Sequence, residues 1–187
     1  EEAVLEGRSK FMSTLWNTYA FYTLYAEIDQ FDPSRYMTDG KWKPEGLTVM
    51  DRWILSKLNS LILTVDRDLE NYRITEAARA LQEFPEDLSN WYVRRCRDRF
   101  WARGMEQDKV NAYMTLYTAL LDVSLLAAPM IPFMTEMIYQ NIVRSVDADA
   151  KESIHLCLFP TADESLIDAE LEENMDHVLQ VVQIPRH

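Results

Sequence analysis

The 187-residue chain reads as all-α, folded as an antiparallel helical bundle. Three observations predict this. Apolar residues recur at three- and four-residue steps through most of the chain, the spacing that lines one side of a helix. Only 4 glycines occur, too few for a turn-rich β architecture or for glycine-rich phosphate loops. The strong helix formers Leu, Ala, Glu and Met are plentiful. With 48% hydrophobic and 27% charged residues, one domain with its own core is expected over residues 1–187.

The elements follow in order. Lys10 to about Ile28 is predicted as the first helix, with Phe11, Leu15, Thr18, Tyr22 and Tyr25 as its stripe and Trp16, Ala20 and Leu24 widening it. Asp32-Pro33-Ser34 and Asp39-Gly40 mark a polar loop to about Gly46. Thr48 can cap the second helix, with Asp51 at capping-box spacing. Met50, Trp53, Ile54, Leu58, Leu61, Ile62, Val65 and Leu69 then follow at helical steps. Trp16 and Trp53 are assigned to the core.

Thr75 can cap a third helix whose stripe is Ala78, Leu81, Phe84, Leu88, Trp91 and Tyr92. One turn further that stripe reaches Arg95 and Arg99, and Pro85 predicts a kink or break near Glu83. Asp108 to Ala128 is apolar over much of its circumference and is expected to be the most buried helix. Pro129 ends it, and Pro132 suits the first turn of a helix to about Val143. Ser153–Pro160 reads as a short extended segment, and Asp163 to about Val182 as a last helix with an acidic outer face. Residues 1–8 and 183–187 are expected to be loosely ordered ends.

Charge is distributed unevenly. The chain carries a net −12, yet from Trp91 to Lys109 six basic residues face three acids. The remainder therefore holds −15, and one face is expected to meet a polyanion. Arg94, Arg95, Arg97 and Arg99 lie among Trp91, Tyr92, Phe100 and Trp101. Three readings stand open for these arginines: solvated surface charge, burial against a carboxylate such as Asp122 or Glu136, and contact with RNA phosphate beside a tryptophan that stacks a base. On the first helix, Asn17 can hydrogen-bond a base edge, and an aromatic ring, Phe21 or Tyr22, can stack on it, although core plus surface is the default for all three.

Other chemistry finds little footing. Cys96 and Cys157 are the only thiols and are read as incidental cysteines of a reduced protein. Two cysteines and three scattered histidines do not make a zinc site, and no metal is expected. His155 has no Ser, Asp or Cys constellation around it. Glu1-Glu2-Ala3 does not start a signal peptide, and Leu116–Met134 is broken by Asp122, Pro129 and Pro132 as a membrane span. The lack of Met at position 1 leads us to expect a piece of a longer chain.

DRWILSKL (51–58), DLSNWYVRRCRDRFW (87–101), APMIPFMTEMIY (128–139) and ESIHLCLFP (152–160) occur in this order. Together they resemble the anticodon-binding helical domain of class Ia aminoacyl-tRNA synthetases, most of all the isoleucyl branch shared by eukaryotes and some bacteria. LWNTYAFYTLYA (15–26) is similar to that domain's first helix. The resemblance spans roughly residues 9–182. It implies a domain that binds the anticodon stem-loop of isoleucine-accepting tRNA, in the cytoplasm, as a monomeric fragment beside absent catalytic and C-terminal domains. No HIGH-like or KMSKS-like sequence is present, so no catalysis and no cofactor are expected here; ATP and Mg2+ belong to the parent. Through the Asn-x-x-x-aromatic pattern and the LSNWYVRR motif with its continuation, the resemblance implies Asn17, Phe21, Trp91, Arg94, Arg95, Arg99 and Arg103 as nucleic-acid-binding residues. Competing readings are the same domain of a valyl, leucyl or methionyl enzyme, a helical protein-interaction module, and a standalone enzyme.

Overall fold

The computed structural model describes residues 7–38 and 40–183. The expected loose ends fall almost wholly outside that span; Gly7 and Arg8 belong to a helical turn and Gln183 closes the last helix. Among the described residues seven α-helices follow one another: α1 Thr14–Asp29, α2 Val49–Glu70, α3 Ile74–Glu86, α4 Arg94–Trp101, α5 Gln107–Ala127, α6 Pro132–Tyr139 and α7 Ala169–Gln183. A wide-wound π-helical stretch, Gly7–Ser13, leads into α1; another, Asp87–Val93, joins α3 to α4; a third, Gln140–Arg144, extends α6. The expected all-α bundle is present, with one two-residue hairpin, β1 Met37–Thr38 against β2 Lys41–Trp42, in the loop before α2.

Contacts fix the topology. Asp51 of α2 meets Tyr92 and Arg99, and Lys57 meets Asp87, so α2 runs antiparallel to the α3–α4 rod. Tyr22 packs on Tyr113 and Tyr117, and Asp29 pairs with Lys109, so α1 runs antiparallel to α5. The C-termini of α1 and α4 and the N-termini of α2 and α5 thus gather at one end of the bundle. Helix α5 is its centre: Ala112, Tyr113, Met114, Leu116, Ala119, Leu120 and Val123 are fully enclosed. By length and composition α5 can cross a bilayer, uninterrupted by the prolines that follow it, but its apolar surface is taken up by the bundle.

The caps follow local rules. Thr48 and Asp51 form a reciprocal capping box, with each side chain on the other's backbone N–H. Asp32 accepts from Ser34 N–H to start the 3₁₀ turn Pro33–Tyr36. Pro132 opens α6 and α5 stops at Ala127, as the prolines predict.

Several expectations are corrected. Helix α3 starts at Ile74 behind Arg73, so Thr75 lies inside the first turn and is not the cap. Ala77, not Ala78, faces the core. Pro85 does not break the rod, since it is buried with Leu81, Phe84 and Leu88. The missing N–H is followed by the wider winding of 87–93, where bonds skip one residue more. Trp16 is 36% exposed, its ring tilted against Tyr19 at 4.9 Å, whereas Trp53 is wholly buried. Ala20 and Leu24 are exposed, so the α1 stripe is the narrower one. Ser153–Pro160 is no strand; it makes one 3₁₀ turn, Ile154–Leu156, strapped to α6 by Glu136, which accepts from Ser153 Oγ at 2.8 Å and Ile154 N–H at 3.0 Å. The last helix begins only at Ala169, after a 3₁₀ turn, Glu164–Leu166.

Asp122 on α5 makes no hydrogen bond or ion pair among the described residues, and burial pushes its carboxyl from 3.8 up to about 7. The folded state therefore keeps a proton that the unfolded chain releases from about pH 4. Stability should fall as pH rises across that window and level off above it. Three pH units set an upper bound of about 4 kcal/mol, reduced because the carboxylate keeps some contact with water. Asp122→Asn is expected to match the wild type in urea unfolding at about pH 4 and to exceed it at about pH 8. Equal stabilities at both values would contradict a buried, unpaired acid.

Candidate nucleic-acid interface

Successive helical residues turn by about 100°, which sorts the arginines of α4. Cys96 and Phe100 point inward with Tyr92. Arg99 flanks them on the α2 side. On the far side, exposed, stand Arg94, Arg95, Arg97 and Asp98, with half-buried Trp91 above and Trp101 at the end, 53% exposed. The guanidinium of Arg95 lies over the Trp91 ring at 5.8 Å, and that of Arg97 over the Trp101 ring at 5.7 Å. Such pairs hold long side chains flat on the surface while leaving their outer N–H groups to solvent. Arg103 is exposed in the turn after α4.

Arg99 is placed differently. It grips Asp51 with two parallel bonds, Nη1 to Oδ1 at 2.7 Å and Nη2 to Oδ2 at 2.9 Å. Its Nε donates to Asp108 Oδ2 at 3.0 Å, and Nη2 also reaches the Asp108 carbonyl at 2.9 Å. Tyr92 O–H donates to Asp51 Oδ1 at 2.7 Å, and Thr48 N–H donates to Asp51 Oδ2 at 3.0 Å. Burial by itself raises the Asp51 pKa; the Arg99 and Tyr92 hydrogen bonds, the Arg99 charge and the Thr48 N–H outweigh it and hold the carboxyl below its usual range. The side chain expected at the nucleic-acid interface is thus committed to tying α4 to the N-termini of α2 and α5. Burial against a carboxylate is the reading that fits Arg99, with Asp51 and Asp108 as the partners rather than Asp122 or Glu136.

Lys109 is likewise internal, 4% exposed, donating to Asp29 at 2.7 Å and to the Ala102 carbonyl at 2.8 Å. Of the six cations counted from Trp91 to Lys109, four face water: Arg94, Arg95, Arg97 and Arg103. They form one continuous side of α4 and its following turn.

Helix α1 borders this face. Phe21 is half-buried, its ring edge-on to Phe100 at 5.1 Å and tilted against Tyr25 at 4.8 Å. That contact brings Asn17, exposed one turn earlier, to the Arg97–Trp101 side of α4. On the opposite border, Val182 near the end of α7 closes a groove of about 330 Å³ with Asn90, Trp91, Arg94 and Arg95. The structure therefore gathers Asn17, Phe21, Trp91, Arg94, Arg95 and Arg103 around one surface and leaves Arg99 beneath it.

Asp98 stands among these cations, whereas an acidic cluster lies where α7 meets α2. Helix α7 is tethered to α2 by Glu172, which accepts from Ser56 and, at 2.9 Å, from Ser60. Lys57 bridges Asp87 at 2.6 Å and Asp176 at 3.6 Å; burial works against its charge, but these acids hold its pKa above the ordinary value. Sequence reasoning missed the Asp51–Arg99–Tyr92 network. Its only signal was a capping-box acid one turn ahead of a buried apolar stripe. Among the described residues no group of three or more His, Cys, Asp or Glu side chains is placed to hold a metal ion, and both cysteines are free thiols.

The chain is thus a helical-bundle domain with a basic, indole-bearing face on α4 and its following turn. The family model described as the anticodon-binding domain of tRNA ligase matches residues 51–187. The chain belongs to that family. It is similar to the isoleucine–tRNA ligase of Clostridium novyi (strain NT), 54% identical over 186 residues, which cover 100% of this chain and 17% of that protein. The isoleucine–tRNA ligase of Clostridium tetani (strain Massachusetts / E88) is 53% identical over 185 residues, 99% of this chain and 17% of that protein. That of Dehalococcoides mccartyi (strain CBDB1) is 47% identical over 186 residues, 100% of this chain and 18% of that protein. The chain spans less than a fifth of the length of these relatives.

Proposed function

We propose that this chain is the anticodon-stem-loop-binding segment of an isoleucine–tRNA ligase. It helps select isoleucine-accepting tRNA for aminoacylation carried out elsewhere in the parent polypeptide. The observation that carries this reading is identity of 47–54% over essentially the whole chain to proteins of that name. The exposed Arg94, Arg95, Arg97 and Arg103 beside two indoles support it, since basic side chains register a loop's phosphates while aromatic and amide groups meet its unstacked bases. ATP and Mg2+ are bound by the parent's catalytic portion and not by this segment. The site of action is the cytoplasm. The segment works as one part of a longer, monomeric chain, and exposed Phe133 and Met137 on α6 with Leu156 and Leu158 on the strap beside it support packing of another domain there.

The test is binding of isoleucine tRNA, and of the same tRNA with a swapped anticodon, across a salt series. Tighter binding of the authentic anticodon, with affinity falling linearly in log salt, is the expected result. Binding that ignores the anticodon would reduce the role to phosphate positioning. Absence of salt-sensitive binding in a folded chain would favour a protein-interaction module instead.

A further inference from the structure

Trp101 and Trp91 stand 10 positions apart on one rod, but the structure gives them different surroundings. Trp91 is half-buried against the core, with Arg95 on its ring and Val182 across the groove. Trp101 leaves 53% of its surface in water at the tip of α4. A single exposed apolar side chain is unremarkable. This one carries the Arg97 guanidinium over its ring at 5.7 Å, shares its side of α4 with Arg94, and precedes exposed Arg103 by two residues.

We infer that Trp101, steadied by Arg97, is a stacking platform for one unpaired RNA base. The inference rests on reading the chain as an anticodon-loop binder and names the side chain that meets a base. A base and an indole stack through their flat faces whatever the base is, and a neighbouring guanidinium adds cation–π attraction. Arg97 lies along the ring, so its charge also sits where the phosphate next to a stacked base passes. Arg94 and Arg103 lie before and after Trp101 for the adjoining phosphates. On the α1 side, Phe21 packs edge-on against Phe100, the chain neighbour of Trp101, and helps fix the end of α4 that carries the indole. Trp91, by contrast, anchors the rod and positions Arg95.

The experiment uses this chain and an anticodon stem-loop RNA carrying 2-aminopurine at each loop position in turn. With the wild type, fluorescence at one position should be quenched on binding. Trp101→Ala should lose that quench and bind about 5- to 150-fold more weakly, with an unchanged salt slope, because stacking releases no counterions. Trp101→Phe should keep most of both signals. Thermal unfolding should be the same for all three, since the residue is largely outside the core. Wild-type affinity in Trp101→Ala, or equal losses in Trp101→Phe and Trp101→Ala, would overturn the stacking assignment while leaving anticodon-loop binding in place. No binding by the wild type would overturn the functional reading itself, and the stacking assignment with it.

Discussion

Arg99→Ala should lower the unfolding free energy by about 3–5 kcal/mol, the usual cost of leaving one half of a buried ion pair behind. The estimate follows from what remains. Asp51 is fully enclosed and accepts from Tyr92 O–H, Thr48 N–H, Thr48 Oγ and both Arg99 Nη atoms. Without Arg99 a carboxylate is left in the core with neutral donors only, and burial then raises its pKa. Arg99→Lys should recover little, because an ammonium cannot reproduce the two parallel bonds or reach Asp108 at the same time. The pH dependence has a fixed sign. A carboxyl whose folded pKa is depressed contributes stability that is present above its unfolded value of about 3.9 and is lost as pH falls through the folded pKa. Acid unfolding should therefore begin below about pH 4 through this pair and should shift upward in Arg99→Ala. Urea titrations at neutral pH and an acid titration by circular dichroism measure both effects. A loss under about 1 kcal/mol would place the pair among exposed salt bridges of little worth.

Arg94→Ala combined with Arg95→Ala should leave stability within about 0.5 kcal/mol, as expected of exposed side chains outside the core, and weaken tRNA binding by at least about 100-fold. Each guanidinium taken off a phosphate removes a charge-assisted bond and one counterion release. The slope of log affinity against log salt should therefore fall by about 1.4 to 2 for the pair. Arg79→Ala, exposed on α3 toward the other end of the bundle, should change neither quantity. An unchanged slope in the double variant would mean that these cations are only solvated charge. The contrast with Arg99 separates two roles within one helix, since Arg99→Ala acts on folding and Arg94→Ala with Arg95→Ala acts on binding.

Much of the bundle was legible because the relevant interactions are local. The Thr48–Asp51 box spans three residues, and the α2 stripe from Trp53 to Val65 needs only the helical period. Prolines 129 and 132 act on their own backbone. Reading failed where winding changed. Extending the α3 stripe by a regular period placed Arg95 and Arg99 together, but in the structure Cys96 continues the buried side, so Arg99 goes in and Arg95 out. Thr75 failed as a cap because Ile74 and Thr75 are both already helical. Trp16 failed because a tryptophan at the margin of a stripe is half covered by whatever packs beside it, and Tyr19 covers only one part.

The candidate face shows the same division. Six cations in a short acidic-chain segment were visible in the order of residues, as were the nearby indoles and the family-like motifs. Those features, by themselves, determined the helical class, the expectation of a polyanionic partner and the absence of recognisable catalytic motifs. Which cations are free to meet that partner was decided only by tertiary structure. Asp51 lies 48 residues from Arg99, and Asp29 lies on a different helix from Lys109. Helical periodicity is set within a few residues along the chain, whereas burial and ion pairing depend on which distant segments the packed core brings together.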